Sequence, residues 1–260
     1  MSKLSQENQF LDLSDYGRFF GRPLAHSLQN TRFTPIHVTL LFGLSGGVAI
    51  YCILQNHLVL AAFFILLKSG IDAADGELAR IKNTPSYTGR YLDSIFDWFL
   101  NLFTFSAICY CSQTPFWLTL IAFFCLQLQG TLYNFYYVIL RTNSVGGDTT
   151  SKIFETKIPI ALKGETQKWV TILYGVYRFV YGVFDKIIYF LDHNASMVKS
   201  FPNWFMTLLS VYGLGFQLLL IALMLPLGWI EFIVPFFIGY SILLVVLICI
   251  RKKFITQKTA

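Results

Sequence analysis

Apolar residues gather in six runs, at 37–54, 58–79, 92–111, 116–140, 204–225 and 230–250. Each is long enough for a helix to cross about 30 Å of hydrocarbon. Lipid tolerates only segments whose backbone groups are satisfied internally, and runs of this length do so as helices. The pattern therefore predicts an all-α integral membrane protein with six transmembrane helices. Three connections, Gln55-Asn56-His57, Ser112-Gln113-Thr114-Pro115 and Pro226-Leu227-Gly228-Trp229, are short and carry no Lys or Arg.

Two stretches break the simple alternation. Residues 8–28 mix Phe10, Leu11, Leu13, Phe19 and Phe20 with charges, the pattern of a juxtamembrane helix anchored on the membrane surface. The link 141–203 contains an apolar segment at 169–191 in which Lys168, Thr171, Gly175, Arg178, Gly182, Asp185 and Lys186 recur mostly at three- and four-residue steps. That narrow polar stripe predicts an amphipathic helix lying in the interface between spans four and five. A seventh span here would also carry the basic C-terminus to the outer face. The first span opens at Thr34-Pro35, an N-cap followed by a first-turn proline.

The resulting organisation is a juxtamembrane segment (1–36), helices one to four with the polar motif of 72–97 (37–140), a link with its amphipathic helix (141–203), helices five and six (204–250) and a tail (251–260). Composition agrees with a membrane setting: 55% of residues are hydrophobic and only 13% charged, which excludes an ordinary soluble domain. Apart from Lys68, all Lys and Arg residues fall before span one, between spans two and three, between four and five, or in the tail beginning Arg251-Lys252-Lys253. Positive charge marks the cytoplasmic side, so both termini and both basic links are expected there. The net charge of +6 suits anionic lipid headgroups and phosphorylated substrates, and requires no nucleic acid. Early residues lack the apolar core of a cleavable leader, so the first span is expected to direct insertion. The five cysteines lie in apolar runs without zinc-ligand spacing and read as packing residues.

Within spans two and three stand four carboxylates, Asp72, Asp75, Asp93 and Asp97. Charges inside a span are costly and mark function. On helices, Asp72, Asp75, Gly76, Ala79 and Arg80 share one face, and Gly89, Asp93 and Asp97 share another. Two such helices facing each other bring the acids together as oxygen ligands for a hard divalent cation, Mg²⁺ or Mn²⁺. The small residues let a ligand approach the helix backbone, and Arg80 offers a cation to phosphate oxygens. Surface salt bridges are a poor alternative, because the acids outnumber the nearby bases. Lys68, one turn before Asp72, is either a partner for one of these acids or a phosphate contact.

The series Asp72-x₂-Asp75-Gly76-x₂-Ala79-Arg80-x₈-Gly89-x₃-Asp93-x₃-Asp97 resembles the signature of the CDP-alcohol phosphotransferase (CDP-alcohol phosphatidyltransferase) family at all eight fixed positions. Thr34-Pro35-Ile36 resembles the segment that opens the family's first helix, with Ile36 where Asn is usual. The resemblance implies a membrane enzyme of phospholipid synthesis that cleaves a CDP-linked donor, releases CMP and joins the remaining phosphoryl group to an alcohol. It further implies that Asp72, Asp75 and Asp93 hold the metal or metals, with Asp97 near enough to ligate; we take Asp97 as the expected general base. Gly76, Ala79 and Gly89 would admit the nucleotide, Arg80 would meet its phosphates, and the working unit would be a homodimer. The signature reads CDP and metal only. Transfer from CDP-diacylglycerol to a small polar alcohol is the favoured direction by analogy with compact members, and transfer from a CDP-linked amino alcohol to a diacylglycerol-type lipid is the alternative. A cation channel or transporter fits less well, because the acids gather at one edge of two spans instead of recurring through several.

Overall fold

The computed structural model describes residues 4, 8–143 and 155–255. Lys3, Lys152 and Lys258, with parts of the link and tail assigned from the sequence, lie outside the described residues. Every regular element among the described residues is helical. A short turn at Leu13–Asp15 precedes α1 (Arg18–Leu28), so the expected helix over 8–28 forms only in its second half. Asp12 explains the turn: its side chain accepts the Ser14 N–H at 3.0 Å, satisfying locally what a helix would otherwise supply.

Four long helices follow: α2 (Pro35–Leu54), α3 (Leu58–Ile81), α4 (Tyr87–Ser112) and α5 (Phe116–Asn143). Helix α2 starts at the expected cap, where the Thr34 backbone N–H donates to His37 Nδ1 at 3.0 Å. Gly21 lets α1 lie on α3, since a β-carbon there would come within 2.7 Å of the Ala74 nitrogen. Ala49, Ala61, Phe105, Ile221 and Phe237 belong to one buried cluster, while Phe135, Tyr136, Ile188, Phe205 and Leu247 belong to a second. Small residues in the first cluster suit helices that associate by close contact in lipid.

Helix α6 (Gln167–Leu191) docks Tyr174 against Tyr91 of α4, donates a hydrogen bond from Tyr181 Oη to the Ser94 carbonyl at 2.9 Å, and sets Phe184 against Phe124 of α5. Its outer side carries Phe179 and Phe190, which are 83% and 86% exposed, the mark of an apolar environment around the protein.

The run 204–225, read as one span, is broken. It forms α7 (Asn203–Leu209), a turn at Ser210–Tyr212 and α8 (Leu214–Met224), bent by 51°. The N-terminal turn fills the break: Leu13 N–H donates to Ser210 Oγ at 2.9 Å, and a β-carbon on Gly215 would stand 2.0 Å from the Ser14 carbonyl oxygen. The last apolar run becomes α9 (Ile230–Tyr240) and α10 (Ile242–Phe254).

By length and composition, four helical stretches can cross a membrane: Pro35–Leu54, Tyr87–Ser112, Phe116–Asn143 and Ile230–Phe254, with the bent pair a candidate fifth. Helix α3 is not among them because Lys68, Asp72 and Asp75 interrupt its apolar sequence. The C-terminal boundary also moves. Helix α10 continues through Arg251, Lys252 and Lys253, and Arg251, assigned from the sequence to the start of the tail, is only 4% exposed. Asp192, capping the end of α6, is its partner, with Arg251 Nε donating to Asp192 Oδ2 at 2.6 Å.

Candidate active site

Helices α3, α4, α5 and α8, the start of α2, the N-terminal turn and the segment leading into α6 border an open cavity of about 1750 Å³. All eight residues singled out from the sequence line it: Asp72, Asp75, Gly76, Ala79 and Arg80 from α3, and Gly89, Asp93 and Asp97 from α4. The three- and four-residue spacing does this, because each helix turns the same face to the cavity at every step.

Oxygens of Asp72, Asp93 and Asp97 all lie within 4.8 Å of one another. Asp75 stands outside this group. Its Oδ2 accepts a short hydrogen bond from the Thr39 hydroxyl of α2, which ties the neighbouring helix to the site. On the other side of the group, the buried Lys68 donates from Nζ to Asp97 Oδ1 and lies 5.3 Å from the centre of the Phe42 ring. Of the two roles open to Lys68 from sequence, the acid partner is the one observed. Arg80 Nη2 meets Glu77 Oε2 at 2.6 Å on its own helix, and the guanidinium still borders the cavity.

Gly89 sits in the first turn of α4, whose cap is Ser86: Gly89 N–H donates to Ser86 Oγ at 2.8 Å. Glu165 completes this end. Its Oε1 accepts from Ser86 Oγ at 2.8 Å and from Thr88 N–H at 2.6 Å, and its Oε2 accepts from Leu162 N–H at 3.0 Å. Burial opposes its charge, yet these hydrogen bonds prevail and hold the carboxyl below the usual range. A negative side chain at the start of a helix also meets the positive end of the helix dipole.

Sequence reasoning missed the wall built by the link. Glu155 pairs with Arg90 and accepts from Tyr91 Oη at 2.6 Å, while its carbonyl accepts from Tyr174 Oη at 3.0 Å. Tyr177, Tyr181 and Asp185 of α6 complete the lining. The tyrosines at 174, 177 and 181 recur at helical steps and were a readable stripe. Glu155 and Glu165 carry no periodic signal.

Three convergent carboxylates form a hard, all-oxygen donor set of the kind that takes Mg²⁺ or Mn²⁺. Asp93 Oδ1 is buried with no hydrogen-bond partner among the described residues. A buried acceptor left unmatched is costly, and a cation would satisfy it. The residues therefore fit a divalent ion.

No curated protein and no solved structure matches the chain. A family model does: the one described as CDP-alcohol phosphatidyltransferase covers residues 32–236, which include every functional position of α3 and α4. With that signature gathered around a single cavity in an all-helical, apolar protein, the chain belongs to the CDP-alcohol phosphatidyltransferase family of membrane transferases that make phospholipids.

Proposed function

We propose that the protein transfers a phosphatidyl group from CDP-diacylglycerol to a small polar alcohol and releases CMP, using Mg²⁺ or Mn²⁺. The observation that carries this reading is the convergence of Asp72, Asp93 and Asp97 oxygens within 4.8 Å on the wall of the cavity. Asp72, Asp93 and Asp97 would hold the cation, with Asp75, tied to Thr39, beside them on the same cavity wall. Bound there, a divalent ion would neutralise the diphosphate and the charge that grows on the departing nucleotide.

The chain's own residues supply the rest. Gly76, Ala79 and Gly89 leave the helix faces low, so the cytidine nucleotide can lie against them. Arg80, held by Glu77, offers its guanidinium to phosphate oxygens. Asp97 takes the proton of the acceptor hydroxyl as the acceptor oxygen bonds to the phosphorus distal to cytidine. The bond from that phosphorus to the bridging oxygen breaks, and its electron pair leaves with CMP. Thr39 steadies Asp75, and the Glu165 contacts fix the first turn of α4, so Gly89 and Asp93 keep their register.

We further propose that α3 is also a span, giving six, with the site at the cytoplasmic face. Helix α6 then lies in the interface. Two contacts support this: Tyr174 in the first half of α6 meets Tyr91 near the start of α4, and the cap Asp192 accepts from Tyr136 Oη in the second half of α5. Cysteines introduced as Lys168→Cys and His193→Cys should both react from the cytoplasmic side. Labelling from opposite sides would contradict this topology.

The substrate test uses the purified full chain with Mg²⁺ or Mn²⁺ and labelled donors. CDP-diacylglycerol with a panel of polar alcohols should yield CMP and a new phospholipid. Turnover only of a CDP-linked amino alcohol with diacylglycerol would reverse the donor assignment. Absence of CMP from every donor would overturn the reading.

A further inference from the structure

The polar face of α4 does not stop at the signature. Asn101 follows Asp97 by one helical turn, and the facing side of α5 carries Gln127, Thr131 and Asn134 at three- and four-residue steps. All four border the cavity. Asn101 and Gln127 are each only 5% exposed, and Gln127 Nε2 is buried with no hydrogen-bond partner among the described residues. An unmatched donor at such depth is costly, and a ligand would satisfy it.

Gln217 of α8 closes this deeper end, and its neighbours fix which way its amide points. Gln129 Nε2 donates to the Phe237 carbonyl at 3.0 Å, so Gln129 Oε1 is left to accept, and it does so from Gln217 Nε2 at 3.0 Å. The same Gln217 nitrogen donates to the Leu126 carbonyl at 3.2 Å. Gln217 Oε1 is thereby turned toward Gly130, where a β-carbon would stand 3.8 Å from it. Beyond Asp97, the cavity residues of α4 and α8 are uncharged, as are those of α5 before Arg141.

We propose that Asn101, Gln127 and Gln217 form the acceptor subsite, and that the acceptor is a neutral polyol, an alcohol with at least one hydroxyl besides the one that reacts. This rests on the phosphotransfer reading above and names its class of alcohol. A hydroxyl both donates and accepts, so it answers the Gln127 donor and the Gln217 acceptor together, whereas the ester carbonyls of a lipid only accept. An ammonium or a phosphate would enter this end of the cavity without a counter-charge from the three helices. One helical turn, about 5.4 Å, separates Asp97 from Asn101, so a short polyol with its reacting hydroxyl at Asp97 reaches the amides with another.

The test measures CMP release from CDP-diacylglycerol by the purified full chain with Mn²⁺ and glycerol, myo-inositol, 1-propanol, ethanolamine or glycerol 3-phosphate. A neutral polyol should be the best acceptor, with 1-propanol about ten-fold or more poorer in kcat/KM because it leaves the amides unmatched. Gln127→Leu should raise the KM of that polyol about ten-fold and shrink its advantage over 1-propanol, at near-native KM for CDP-diacylglycerol. It should also unfold at no lower temperature than the native protein, since it removes a buried donor that has no partner. A glutamine kept for packing alone would do the reverse, lowering stability and leaving acceptor preference as it was. Gly130→Ala guards against a variant that fails to fold: its β-carbon meets nothing nearer than 3.8 Å, yet it narrows the pocket and should raise the polyol KM alone. Preference for ethanolamine or glycerol 3-phosphate, or a native polyol KM in both variants, would overturn the inference and leave the phosphotransfer reading intact. Absence of CMP from every donor would overturn both.

Discussion

Two buried ion pairs in this molecule look alike but sit in different surroundings. Arg251 meets Asp192, which also accepts from Tyr136, so one cation, one acid and one hydroxyl close on themselves in the packing between α5, α6 and α10. Lys68 meets Asp97, but Asp72, Asp75 and Asp93 border the same cavity. The first pair is balanced and the second lies in a surplus of negative charge. Burial of a pair therefore does not by itself mark function. Excess charge beside a cavity points to function more strongly, because a bound cation or a shared proton must offset it.

The largest expected effect breaks the balanced pair. Arg251→Met leaves Asp192 buried without its counter-charge, with only the Tyr136 hydroxyl donating to it, and should lower stability in detergent by about 3–5 kcal/mol, measured by thermal or denaturant unfolding. Adding Asp192→Leu should restore most of that loss, because a buried pair replaced by apolar side chains of similar volume is often neutral. Neither change touches the carboxylate cluster, so the folded fraction should bind Mn²⁺ as the native protein does. Weaker Mn²⁺ binding in Arg251→Met would mean that the two pairs are not independent.

The unbalanced pair should respond in catalysis more than in stability. Asp97→Asn should reduce CMP release by on the order of 10²-fold, or about 2.7 kcal/mol in barrier, while retaining most of the affinity for the CDP-donor. Near-normal turnover in this variant would remove Asp97 from its role as base.

A third acid sharpens the contrast with a smaller effect. Glu165 is held in its charged form by donors from Ser86, Thr88 and Leu162. Its carboxyl titrates below the usual range in the folded protein, so the folded state holds fewer protons there than the unfolded state. The stability it contributes is complete above the ordinary carboxylate range and is lost as the pH falls through the folded value. Native protein should therefore lose more thermal stability than Glu165→Gln between about pH 7 and about pH 3. An identical acid response in both proteins would show that these hydrogen bonds contribute nothing net.

What the sequence revealed and what it concealed divide along the same line. The eight signature positions were legible because helical periodicity places residues three and four apart on one face, and all eight border one cavity. The start of α2 at Thr34-Pro35 was legible for an equally local reason. The burial of Arg251 was hidden because its partner Asp192 is 59 residues away, and a basic cluster after an apolar run looks the same whether solvated or paired. The break at Gly213 was hidden because the element packed into it, the turn at Leu13–Asp15, comes from the opposite end of the chain. The hydroxyl on Asp75 from Thr39 and the carboxylate of Glu165 on α4 were concealed in the same way, since long-range contacts leave no periodic trace. Local repetition wrote the site; the distant partners that hold it had to be seen in space.

The central claim is that these acids serve a divalent cation used in transfer from a CDP-donor. The direct measurement is CMP release by the purified protein from labelled CDP-diacylglycerol and its alcohol acceptor, before and after excess chelator, followed by readdition of Mg²⁺ or Mn²⁺. Release should stop with chelator and return with either ion, because bare carboxylates this close repel one another and the diphosphate. Undiminished release in excess chelator would contradict the account.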